Sequence, residues 1–244
     1  MDGYKRLRPE HIPLTHVSIN ENTFTIVDKI LVGLQGHVYL VEKDGQRFIL
    51  KIVLNVESYQ TIVEHKILLH LISCDSIIKM IDMQLKSNGL YMIFPYAEGG
   101  DLMRFIYQKK YQEKTEHEIY LLFKQLFDAV DCMHSKYIVH LDIKPANIVF
   151  MDEKQTVLKL IDLGSAENDT TNQFRDVEGL FSILQQLTTH IKSVSLTKLL
   201  KSEKSLESIR TSEWFKVNQS RFRKKKSKKS KVKNINLNDF VLLK

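Results

Sequence analysis

Apolar and polar positions along the chain change their period once. In the first hundred residues the apolar side chains come in short runs rich in Val, Ile and Tyr, at 24–32, 38–42, 47–53, 77–85 and 90–95. Turn formers separate them: Gly33 and Gly36, Asp44 with Gly45, and Ser87, Asn88 and Gly89. Runs of this length between such turns predict β-strands, and the Asp-Gly step predicts a tight hairpin. The interruption is 58–71, where Ile62, Ile67, Leu68 and Leu71 fall at helical spacing. Beyond residue 100 the period lengthens. Ile119, Leu122, Phe123, Leu126, Phe127, Val130 and Met133 recur at three and four across 116–135, the stripe of a long helix buried along one side. Further helices are predicted at 101–109 and within 196–215, with strand-like runs at 148–150 and 157–161. The pattern is that of an α+β protein: five strand-like runs, the first three predicted to pair antiparallel, and one helical stretch up to residue 95, then mostly helical material. Residues 1–23 hold two of the four prolines and no periodic pattern, and read as an N-terminal extension.

Composition alters this picture in two places. With 43% apolar and 27% charged residues the chain is an ordinary globular one, and no apolar run approaches the ~20 residues of a membrane span. Cys74 and Cys132 lie in apolar segments without CxxC or His-rich spacing, so two buried thiols in a reducing compartment are expected, with no zinc site. An intracellular location follows as an expectation. The net charge of +7 is unevenly held: nine Lys and Arg and no acid fall within 221–233, which leaves the remainder at −2. Such a run is too repulsive to pack, and 219–244 is expected to be a disordered basic tail.

The densest grouping of reactive side chains is His140, Asp142, Lys144 and Asn147, followed fifteen residues after Asn147 by Asp162 and Gly164. One carboxylate to orient an attacking hydroxyl, a cation to neutralise phosphoryl oxygens, and an amide oxygen and second carboxylate for magnesium make up what phosphoryl transfer needs. The segment resembles the catalytic and metal-binding loops of the eukaryotic protein kinases, whose pattern is H-R-D-L-x-x-x-N and then D-F-G. The resemblance implies a bilobal protein kinase-like fold, with a five-stranded antiparallel lobe carrying one helix over 24–95 and an abbreviated, mostly helical lobe over 96–218, and the cofactors ATP and Mg²⁺. It makes Asp142 the hydroxyl-orienting base, Lys144 the charge on the γ-phosphoryl group, and Asn147 and Asp162 the metal ligands. The lysine two residues after Asp142 resembles the serine/threonine members, which implies transfer to Ser or Thr hydroxyls of protein substrates.

The same resemblance assigns the first half. Gly33, Gly36 and Val38 match the later positions of the phosphate-covering G-x-G-x-x-G-x-V loop, with Leu31 where its first Gly stands. Lys51 matches the lysine of V-A-I-K, and Glu64, in the helical stretch, its ion-pair partner, with Glu57 as the competing carboxylate. A strand lysine more commonly snorkels to water, so the assignment rests on spacing. Residues 90–102 resemble the hinge, with Pro95, Tyr96 and Ala97 against the adenine edge and Phe94 behind it. Ile49, Val149 and Ile161, with Val38, complete an apolar slot.

Three departures stand out. Leu141 replaces the Arg of H-R-D and Leu163 the Phe of D-F-G. No A-P-E segment lies between Asp162 and the run from Asp176, which resembles the helix whose first Asp ties down the catalytic loop. Such shortened members, free of activation-loop phosphorylation, are familiar among viral and pathogen-encoded kinases. The cytoplasm and nucleus, of a host cell if viral, are then the expected location. For the basic tail three partners stay open: nucleic acid, a nuclear-import receptor, and an anionic surface or acidic substrate. Two other readings compete with the enzyme: an inactive pseudokinase scaffold, and a nucleic-acid-associated protein acting through its tail.

Overall fold

The structure, a computed structural model, describes residues 15–32, 36–54 and 67–222. The chain forms two compact units, one of residues 1–72 and 78–96, the other of residues 73–77 and 97–244.

The first unit is a six-stranded antiparallel sheet, where five strands were expected. Its strands are β1 (His16–Ile19), β2 (Asn22–Val32), β3 (Gly36–Lys43), β4 (Gln46–Val53), β5 (Asp82–Lys86) and β6 (Gly89–Pro95), in the order β1-β2-β3-β4-β6-β5. The additional strand takes its residues from the expected N-terminal extension. Val17 and Ile19 alternate with exposed neighbours and are 6% and 0% exposed, and Asn20, at φ 51°, turns the chain into β2. Asn is among the few residues that adopt this left-handed conformation at low cost. Asn20 also ties the two outer strands together, its amide donating to Asp82 Oδ1 at 2.7 Å and its backbone N–H to Gln84 Oε1 at 3.1 Å.

Alternation divides the sheet into two faces. Val41, Leu50, Ile52, Tyr91 and Ile93 join Val17, Ile19 and Phe24 in the core of the unit. Of the predicted strand over 77–85 only the end is a strand; Ile77 instead bridges Leu160 in the second unit. The predicted helix over 58–71 is described only from residue 67, where 67–70 are helical.

The second unit is organised by α2 (Glu116–Ser135), which occupies the span its apolar stripe predicts. Thr115 and Glu118 form a capping box at its start, satisfying two backbone donors that the first turn leaves without partners. Around it lie α1 (Leu102–Tyr107), β7 (Gly100–Asp101), β8 (Ile138–Val139), β9 (Ile148–Phe150), β10 (Leu158–Leu160), β11 (Glu167–Asn168), α3 (Gln173–Leu187), α4 (Val194–Leu200) and α5 (Leu206–Thr211). After a bend at Ser212, residues 213–222 are helical, so the first four residues of the expected tail, 219–222, belong to a helix. Its Trp214 is 0% exposed, meets the Tyr120 and Phe123 rings edge-on, and donates Nε1–H to Glu116 Oε1 at 2.8 Å.

Cys74 and Cys132 form a disulfide, which corrects the expectation of two thiols. The short strap 73–77 docks on β10, with Leu160 N–H donating to the Ser76 carbonyl at 2.9 Å, and this sets Cys74 within 5.9 Å (Cα to Cα) of Cys132 on α2. That spacing suits a disulfide. The cysteines are 58 residues apart in sequence, and neither carries a spacing motif that would announce the pairing.

Candidate active site

In the second unit the loop after β8 brings Asp142, Lys144 and Asn147 together. Lys144 Nζ donates to Asp142 Oδ2 at 2.7 Å, and Asn147 Nδ2 donates to the same oxygen at 2.8 Å and to the Asp142 carbonyl at 2.9 Å. Desolvation pushes the Asp142 carboxyl upward, but the bonds from Lys144 and Asn147 and the attraction of Lys144 outweigh it and hold the group below its ordinary value. With its amide nitrogen spent on Asp142, Asn147 has its side-chain oxygen left to offer a cation.

His140 fixes this loop to the strand leading to Asp162. Its Nε2 lies 3.1 Å from the Ile161 carbonyl, which can only accept, and its Nδ1 lies 3.3 Å from the Asp142 N–H, which can only donate. The ring is therefore neutral, protonated on Nε2. Burial lowers its pKa, prevailing over the opposing influence of the Ile161 bond and of Asp176, Asp162 and Asp142.

Beneath the loop, Asp176 in the first turn of α3 is 1% exposed. Its Oδ2 accepts from His140 N–H at 2.8 Å and from His134 Nε2 at 2.9 Å, and its Oδ1 accepts from Leu141 N–H at 2.8 Å. Leu141 has φ 66°, a conformation that costs a non-glycine residue about 1–2 kcal/mol. The paired bonds from Asp176 to His140 and Leu141 hold it there. His134 was not singled out from sequence, because it falls at the end of a helical stripe where a histidine looks like any polar neighbour.

Gly179 was also passed over, although a glycine inside a helix is a signal of close packing. A Cβ there would stand 2.6 Å from Ile143 Cβ and 2.7 Å from the Ile143 carbonyl oxygen. Gly179→Ala is expected to cost about 1–3 kcal/mol by overpacking. Thermal melting checks this; an unchanged midpoint would show that the loop yields freely.

Asp162 is exposed, in left-handed backbone at φ 62° and ψ 77°, and caps the short 3-10 turn Leu163–Ser165. Leu163 is buried in place of the family's Phe. Ile161 N–H donates to the Asn147 carbonyl at 2.9 Å, so both predicted metal residues are held through neighbouring backbone. An amide oxygen and a carboxylate are hard donors, and Mg²⁺ is commonly held by one or two such groups together with phosphate oxygens. The donor set fits. Val149, half-buried on β9, pairs with Asp101 of β7 and Lys159 of β10.

In the first unit, strand register gathers most of the remaining residues on the sheet face away from the core. Leu31, Val38, Lys51 and Met92 form one cross-strand row, and Leu40, Ile49 and Phe94 the next. Leu31 is 60% exposed, Val38, Ile49 and Lys51 are half-buried, and Met92, which was not predicted, is fully buried. Gly36 opens β3 where a Cβ would run into the Ile52 carbonyl oxygen, so sheet packing alone demands glycine. Pro95 ends β6 opposite Phe48, the Arg47 guanidinium lies 4.6 Å over the Tyr96 ring, and the Ala97 carbonyl accepts from Gly100 N–H at 3.2 Å. Gly33 and Glu64, and with Glu64 the expected ion pair to Lys51, lie outside the described residues.

An orienting carboxylate with a cation and an amide bonded to it is the charge set of phosphoryl transfer. The protein kinase domain, as a family model, matches residues 24–181, and the chain belongs to that family. The chain is 28% identical over 152 residues to the serine/threonine-protein kinase ULK3 of Homo sapiens, covering 59% of this chain and 32% of that protein. It is 28% identical over 149 residues to calcium-dependent protein kinase 5 of Plasmodium falciparum, covering 59% and 26%. Against myosin light chain kinase 3 of Rattus norvegicus the figures are 30% over 114 residues, covering 47% and 14%. The chain thus matches a third or less of the length of each of these relatives. Members of this family are ATP-binding transferases that act on proteins and use Mg²⁺. Among the described residues no helix is long and apolar enough to cross a membrane.

Proposed function

We propose that this protein transfers the γ-phosphoryl group of ATP to serine or threonine hydroxyls of other proteins. The observation that carries the reading is the bonded set Asp142, Lys144 and Asn147 on a loop pinned by Asp176. Bound Mg²⁺-ATP supplies the phosphoryl group and screens its charge. Asp142, kept ionised, orients the incoming hydroxyl and takes its proton; Lys144 is near enough to follow negative charge as it shifts; Asn147 and Asp162 offer oxygens to the metal. Lys51 and the apolar side chains on its sheet face hold the nucleotide. The serine/threonine preference is supported by Lys144 and by the likeness to a human serine/threonine-protein kinase.

Only residues 165–172 separate the Asp162–Gly164 turn from α3, and Asp169 closes that link on itself by accepting from Thr171 N–H at 2.7 Å and Asn172 Nδ2 at 2.6 Å. This supports an enzyme that needs no phosphorylation of an activation loop and has an abbreviated helical lobe. The basic run 221–233 is an electrostatic arm for an acidic substrate or other polyanion, and the site of action is the cytoplasm or nucleus. Magnesium-dependent thermal stabilisation by ATP tests the nucleotide site directly: at a hundredfold excess over Kd the gain is about 2.7 kcal/mol. A melting point that ATP raises only with Mg²⁺ present is the expected result, and no shift with any nucleotide would overturn the reading.

A further inference from the structure

Among the described residues, the Cys74–Cys132 bond is a reactive feature that phosphoryl transfer leaves unused. Cys74 is 1% exposed in the strap 73–77, while Cys132 on α2 is only half-buried. Apart from this bond the strap is held by β10: Leu160 N–H donates to the Ser76 carbonyl, Lys159 Nζ bonds the Asp75 carbonyl, and Ile77 bridges Leu160. β10 in turn runs directly into Ile161 and Asp162.

We propose that the disulfide is a reversible latch, which when closed fastens the strap, and with it β10 and the backbone of Asp162, to α2. When open, the strap keeps its β10 bonds but loses the covalent tie to α2. At the cytoplasmic or nuclear site of action proposed above, on which this step rests, disulfides are mostly transient and redox-responsive. The unequal exposure of the two cysteines gives the exchange a direction. Closing needs a low-molecular-weight disulfide such as glutathione disulfide. The accessible Cys132 thiolate attacks one of its sulfurs and expels a glutathione thiolate, forming a mixed disulfide. Cys74, its proton lost to solvent, then attacks the Cys132 sulfur and expels the second glutathione thiolate. Two protein thiols are oxidised and one glutathione disulfide is reduced to two thiols; opening is the reverse.

The full chain is equilibrated in glutathione buffers of graded ratio, alkylated, and mapped without reduction, with amide exchange followed at 73–77 and 158–162. The expected result is a Cys74–Cys132 linked peptide that comes and goes with the ratio, and exchange at Leu160 and Ile77 about tenfold faster when it is absent. Cys132→Ser and, separately, Cys74→Ser are expected to exchange like the reduced protein in every buffer. A link that never forms, one that persists at every ratio, or exchange that ignores its state would each overturn the latch. A phosphorylation assay in the same buffers carries the dependence on the proposed function: wild type alone is expected to change its KM for ATP with the ratio. Absence of phosphate transfer in both states would count against the kinase activity, while the exchange measurement would still decide the latch.

Discussion

Asp142→Asn is expected to lower phosphate incorporation by about 10²–10⁴-fold, the usual range for loss of a positioned base, while moving the melting point by no more than about 2 °C. The side chain is on a partly exposed loop and its partner Lys144 is 51% exposed, so the stability lost with the ion pair is small. Lys51→Met, on the other unit, is expected to reduce incorporation as well by weakening the hold on the nucleotide. Equal background in wild type and both variants would leave a scaffold that binds without turnover. The direction of the Asp142 shift fixes the pH profile. A carboxyl held below its ordinary value contributes stability that is present above the unfolded pKa, near 3.9, and lost as pH falls through the lower folded one. Asp142 therefore stays ionised throughout the neutral and mildly acidic range, and the acid limb of activity that it sets lies below the ordinary carboxylate range. A limb of kcat near pH 6 that vanished in Asp142→Asn would contradict this assignment. So weak a base acts chiefly by orienting the hydroxyl, with the proton leaving late, as a loose phosphoryl transition state allows.

How much of this was legible beforehand depends on whether the cause was local. The span of α2 follows from an apolar stripe and a capping box, both written in consecutive residues, and the β3–β4 hairpin from Asp44 and Gly45. The sheet face carrying Val38, Ile49 and Lys51 follows from alternation once the strands are placed. β1 was missed because a four-residue strand beside prolines offers only two apolar positions, Val17 and Ile19, and their burial comes from strands that pair elsewhere. The disulfide and the Asp176–His134 contact join residues 58 and 42 positions apart, and no periodicity reports contacts of that kind. The sequence motif indicated that Asp142, Lys144 and Asn147 matter together. It did not indicate that Asn147 would turn its nitrogen toward Asp142, which decides the atom it can offer a metal.

Asp176→Ala has the largest expected effect on stability, because three donors converge on a carboxylate that is 1% exposed. Truncation leaves the His140 and Leu141 N–H groups and the His134 ring without this buried acceptor, and losses of this type run to about 3–5 kcal/mol. In a chain of this size that corresponds to a fall in Tm on the order of 10 °C. His134→Ala removes one of the three bonds and is expected to cost about 1–3 kcal/mol. Asp176→Asn should fall between them, since its oxygen can still accept but its amide would face a donor. Activity separates scaffolding from simple stability. Once the bonds to His140 and Leu141 are gone, nothing holds Leu141 at φ 66°, and relaxation of that residue shifts Asp142 next to it. Measured well below the lowered Tm, Asp176→Ala is therefore expected to lose kcat by more than it raises KM for ATP, whereas His134→Ala, which leaves both backbone bonds in place, should keep most of its kcat. Equal losses of kcat in the two variants would mean that the loop is held by packing and not by this carboxylate.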